Sequence, residues 1–133
     1  MIVKLFPTQV DFNNLSRVNT VTSEHANTYD YSKTVVTKPW GYEYLWFQNS
    51  SVSVWMLHLL PQQATSLHCH IRKRTSLIVI SGEVVCSTLT DRYKLSCLDG
   101  VVLEPCAFHT TQAVSENGAW VMEVETPPLK GDL

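Results

Sequence analysis

After Pro39 the sequence breaks into a succession of short apolar runs, and this spacing constrains the fold more than any other feature. The runs are Tyr42 to Phe47, Val52 to Leu60, Ser66 to His70, Leu77 to Ile80, Glu83 to Leu89, Tyr93 to Cys97, Val101 to Leu103, His109 to Val114 and Ala119 to Glu125. They are rich in Val, Ile, Thr and aromatic residues, and Asn49-Ser50, Pro61, Ser81-Gly82, Asp99-Gly100 and Asn117-Gly118 punctuate them. That pattern predicts strands joined by tight turns. Antiparallel sheets of this size must hide their edges, and a double-sheet jelly roll does so while leaving an interior cavity at one end. The expected fold class is therefore all-β, a jelly-roll barrel with an N-terminal arm.

A chain of 133 residues fits one domain with a single substantial core. We place the barrel domain at residues 38–133 and the arm at residues 1–37. The arm is polar and has no sustained helical or alternating period, so short strands or turns are expected, lying on the barrel or crossing to a second copy. A short helix near Ser23 to Tyr29, capped by Ser23, is a further expectation within it. An exposed sheet edge needs cover, which leads us to expect a homodimer built from the arm and an apolar barrel face.

Hydrophobic residues make up 44% and charged residues 17%, which excludes a disordered polar chain. The net charge is −2 and the basic residues are dispersed, so no stripe exists to track a phosphate backbone, and nucleic acid is not an expected partner. No run approaches the roughly 18 apolar residues of a membrane span, and the N-terminal apolar segment is too short for a signal peptide. The expected location is cytoplasmic, with no membrane partner. Cys69, Cys86, Cys97 and Cys106 have no paired C-x-x-C spacing, so they are read as reduced thiols, Cys69 as core packing.

The chemistry concentrates in Ser66-Leu67-His68-Cys69-His70, with Gly82 after it and His109 closing the stretch Val101 to Phe108. Alternate residues of a strand share a face roughly 6.6 Å apart, so His68 and His70 can aim at one point, which His109 from a partner strand can complete. Three neutral imidazoles suit a first-row divalent ion such as zinc, iron, nickel or manganese. Two histidines one residue apart are also found as ordinary surface or hydrogen-bonded groups.

Ser66 to Gly82, SLHCHIRKRTSLIVISG, resembles the first motif of the cupins, and Leu103 to His109, LEPCAFH, is similar to the second. Lys38 to Tyr44, KPWGYEY, resembles the entry segment of the cupin-type, type II mannose-6-phosphate isomerases, and Met122 to Glu125, MEVE, is similar to their IEVQ strand. Small stand-alone cupins of surface-polysaccharide and nucleotide-sugar pathways show the same likeness, which covers residues 38–133. It implies the cupin double-stranded β-helix and a divalent ion on His68, His70 and His109. Thr75 stands where the family carries a metal-binding glutamate, and Cys106 where it carries a turn glycine. His68 stands where the isomerases have glutamine.

In the family resembled, a base moves a proton between neighbouring carbons of a sugar. Glu123 is the first candidate base, and its alternative is a solvent-facing edge strand; Glu43 is the second candidate. His58 is read as a core or pocket histidine. Lys73, with Arg72 beside it, falls where the isomerases have a basic residue, and either binds a phosphate or lies on a solvated turn. Trp40 is singled out from KPWGYE for the sugar pocket, against a core role for the tryptophans, and Thr75 is placed facing the cavity. Three functions follow in order: a metal-dependent isomerase or epimerase of a sugar or sugar phosphate, a non-catalytic carbohydrate-binding or sensing module, and a three-histidine iron dioxygenase.

Overall fold

The structure, a computed structural model, describes residues 1–17 and 35–129. Ten strands and one short helix follow in chain order. They are β1 (Ile2–Leu5), α1 (Gln9–Leu15), β2 (Val35–Lys38), β3 (Gly41–Gln48), β4 (Ser53–Leu59), β5 (Arg74–Ser81), β6 (Val84–Ser87), β7 (Arg92–Leu95), β8 (Gly100–Leu103), β9 (Thr110–Ala113) and β10 (Ala119–Thr126). Seven strands form one sheet in the order β1-β8-β5-β10-β4-β3-β2, and β7-β6-β9 form the other. Among the described residues no helix is long and apolar enough to cross a membrane, and the four cysteines form no disulfide.

Strand alternation sets which residues face inward. Trp55, Leu57 and Leu59 of β4, Leu77 and Val79 of β5, Val101 and Leu103 of β8, and Ala119 and Val121 of β10 are buried together with Val84, Cys86, Leu95 and Ala113 of the small sheet. Facing sheets that bury one side each are the physical content of a jelly roll. Gly82 turns β5 into β6 at φ +82°, and a Cβ there would stand 2.4 Å from the Gly118 carbonyl oxygen. Glycine is required by both the backbone conformation and the close approach.

The N-terminal segment belongs to the barrel over its first residues. β1 adds to β8 in parallel, Ile2 opposite Gly100 and Leu5 opposite Leu103. α1 follows at once, with a capping box in which Thr8 caps the Asp11 N–H and the Asp11 carboxylate accepts the Thr8 N–H at 2.7 Å. The helix expected near Ser23 to Tyr29 lies outside the described residues. β2 runs across the expected arm boundary at Thr37 and pairs with β3, Val36 opposite Glu43.

Candidate metal centre

The spacing predicts a strand over Ser66 to His70, but the segment forms one isolated bridge, His68 with His109, and a second, Ala64 with Gln112, lies just before it. Between them the Thr65 N–H donates to the Thr111 carbonyl at 2.9 Å, and threonine hydroxyls add to this backbone bond. The Thr111 N–H donates to Thr65 Oγ1 at 3.0 Å, and Thr110 Oγ1 donates to the Thr65 carbonyl. The second bridge makes His68 and His109 directly opposed, the His68 N–H donating to the His109 carbonyl at 3.1 Å and the reverse bond closing at 2.8 Å. His70 is fixed through its carbonyl, which accepts the Cys106 N–H at 2.7 Å.

Side chains on this frame converge. The ring centroids of His68, His70 and His109 lie 4.7, 4.6 and 5.1 Å apart, and one ligand nitrogen from each falls within 4.8 Å of the others. His68 Nδ1 donates to the Ser66 carbonyl at 2.7 Å, and His109 Nδ1 donates to the Ala107 carbonyl at 3.0 Å. In a neutral ring that assignment leaves the Nε2 lone pair as the ligand atom. Burial, with a contribution from His109, pushes the His68 imidazolium down to about 3, and burial lowers His109 as well. Neutral imidazoles with lone pairs on one point are what a first-row divalent ion requires, so the residues present fit such an ion.

His68 and His109 stand on the wall of a narrow pocket, part of it open to solvent. Leu57, Leu77 and Val121 supply apolar wall, and Glu123 brings a carboxylate.

The remaining sequence candidates separate. Glu123, opposite Trp55 on one side and Leu77 on the other, points inward and not to solvent. Glu43 is buried on the inner face of β3, opposite Leu57, and its Oε1 lies 3.5 Å from Lys38 Nζ. Thr75 is wholly buried but does not line the cavity. It sits opposite Glu125 and Leu103, two residues along β5 from Leu77. Lys73 is not on a solvated turn: it is 1% exposed and donates to Glu125 Oε2 at 2.6 Å, while Arg72 beside it is exposed. Trp40 packs into the core. His58 lies on the outer face of β4, between Tyr42 at 5.1 Å and Trp120 at 4.5 Å, where burial lowers its pKa. The side chains that line this pocket from β4, Leu57 and Leu59, are those of the opposite parity.

Glu125 and Ser53 were not singled out in the sequence, although MEVE places Glu123 and Glu125 on one strand face. Ser53 Oγ donates to Glu125 Oε1 at 2.6 Å, completing a buried Lys73-Glu125-Ser53 chain.

No protein-family model matches the sequence, and no curated protein matches it. Solved structures do match. KdgF from Halomonas sp. superposes with a TM-score of 0.64 at 16% identity, over 68% of this chain and 82% of that one. The capsular polysaccharide assembling protein CapF from Staphylococcus aureus superposes with a TM-score of 0.65 at 16% identity, over 74% of this chain and 32% of that one. A sugar phosphate isomerase of the cupin superfamily from Silicibacter pomeroyi superposes with a TM-score of 0.54 at 20% identity, over 58% of this chain and 51% of that one. At such identities the likeness establishes the fold, and the fold is that of the cupins, a double-stranded β-helix.

Proposed function

We propose that this cupin binds a divalent metal ion through His68, His70 and His109 and acts on a sugar or sugar phosphate by proton transfer, in carbohydrate or surface-polysaccharide metabolism. The observation that carries the reading is the Glu123 carboxylate on the wall of the same cavity as His68 and His109. A divalent ion supplies polarisation of substrate oxygens when bound. Glu123 would serve as the base: it takes the proton from the hydroxyl-bearing carbon beside a carbonyl, the C–H pair forms a C=C bond and the carbonyl oxygen takes up a proton to give an enediol; the proton then returns to the former carbonyl carbon while the neighbouring hydroxyl loses its proton and becomes the new carbonyl. Leu57, Leu77 and Val121 give the wall beside Glu123 an apolar lining.

Relatives named for sugar phosphate isomerisation and capsular polysaccharide assembly support the substrate class. Two copies pair in this reading, because Leu45, Trp46 and Phe47 are exposed in succession on β3; a monomer in sedimentation would remove the pairing. The test of function is incorporation of solvent deuterium at carbon across a panel of sugars and sugar phosphates with zinc-, manganese-, iron- or nickel-loaded protein. Exchange that Glu123→Gln abolishes supports the reading. Tight sugar binding without exchange would reduce the protein to a carbohydrate-binding module, and neither would remove the sugar.

A further inference from the structure

We infer that Asp11, in the N-terminal segment, is a positioning residue for His109 and that residues 1–15 act as a strap holding this histidine in place. The inference rests on the metal-centre reading above. It begins from the backbone between Glu104 and His109, which turns sharply at Cys106, φ +74°. This stretch has five backbone N–H groups, since Pro105 has none, and buried N–H groups must find acceptors.

All five are assigned. Glu104 donates to the Leu5 carbonyl at 2.9 Å, Cys106 to that of His70 at 2.7 Å, Ala107 to that of Glu104 at 3.2 Å and His109 to that of His68 at 2.8 Å. Phe108, the residue before His109, donates to Asp11 Oδ1 at 3.1 Å across 97 positions of sequence. Two of the five acceptors therefore come from the N-terminal segment, one at each end of the turn. The Ala107 carbonyl inside the same turn receives the His109 ring proton, so anything that shifts the turn also rotates the imidazole.

Asp11 is built for this task. It is 3% exposed, and its second oxygen accepts both the Thr8 N–H at 2.7 Å and Thr8 Oγ1 at 3.2 Å. Helix capping alone needs only the Thr8 bonds. The bond to Phe108 couples the cap to the turn, and β1 pairing along β8 delivers α1 to that place. Outer partners that orient a metal-binding histidine are worth about 10- to 100-fold in affinity, and Asp11 acts one step further out, through backbone. We expect about tenfold.

Zinc affinity measured calorimetrically on the full chain, with cobalt(II) absorbance as a second probe, tests this in wild type, Asp11→Ala, Asp11→Asn and Thr8→Ala. The expected result is about tenfold weaker binding and an altered cobalt spectrum for Asp11→Ala, with binding largely restored in Asp11→Asn, whose amide oxygen can still accept from Phe108. Thr8→Ala should lower the melting temperature but leave affinity unchanged. Equal affinity in folded Asp11→Ala, or equal weakening by Thr8→Ala, overturns the inference. Should wild type bind neither ion, the metal reading fails on its own, and amide hydrogen exchange still judges the strap: Asp11→Ala must speed exchange at Phe108 and His109 but not in β6, and unchanged rates refute it.

Discussion

Removing one charge from the Lys73-Glu125 pair should be among the most damaging substitutions in this molecule, and removing both should be far milder. Both side chains are 1% exposed, the ion pair closes at 2.6 Å, and Ser53 Oγ occupies the other carboxylate oxygen. Breaking a buried pair by deleting one partner costs about 3–5 kcal/mol, because the survivor stays desolvated, whereas replacing both partners by neutral groups of similar volume is often close to neutral. A domain's total stability is about 5–15 kcal/mol, so Lys73→Met and Glu125→Gln should each remain folded with a clearly lowered denaturation midpoint. The double variant should cost no more than either single one, with a coupling of at least about 2 kcal/mol. Urea unfolding followed by tryptophan fluorescence, extrapolated linearly, measures all four proteins. Single losses below about 1 kcal/mol, or losses that simply add, would refute the reasoning that this pair is dry and mutually dependent.

Other outcomes follow from individual side chains. Thr75 Oγ1 is buried without a hydrogen-bond partner, so Thr75→Val should raise stability by about 1 kcal/mol; a loss in the same urea experiment would mean the hydroxyl has a role. Cys106 holds φ +74°, a conformation that costs a side-chain-bearing residue about 1–2 kcal/mol, so Cys106→Gly should stabilise by about 1 kcal/mol after the added unfolded-chain entropy is offset. A lower melting temperature would contradict that. Cys97 is exposed while burial raises the Cys86 thiol to about 11. Alkylation at pH 8 followed by peptide mapping should therefore modify Cys97 in native protein and Cys86 only after unfolding.

The barrel strands were legible because period-two alternation and turn chemistry are local signals, and nearly every run after Pro39 became a strand. The histidine cluster was legible for a related reason: His68 and His70 alternate along one short run, and His109 ends an apolar stretch. What brings them together is less local, since His68 sits in an isolated bridge held by threonine hydroxyls and not in a regular strand. α1 escaped the periodicity reading because Val10 and Phe12 are exposed and Asp11 is its one buried residue. Helical period reports a buried apolar face, which this helix does not have. β1 is four residues long, and its partner is some hundred positions away. Lys73 reads as surface between Arg72 and Arg74; its partner, Glu125, is 52 residues on, beyond any local pattern.

The central claim is that His68, His70 and His109 form one metal centre. Its most direct measurement is calorimetric titration of chelator-treated protein with zinc, alongside His68→Ala, His70→Ala and His109→Ala variants checked for folding. One zinc per chain is expected in wild type, with loss of that site in each folded variant. Absence of a stoichiometric site in wild type, or a site that survives all three substitutions, would contradict it.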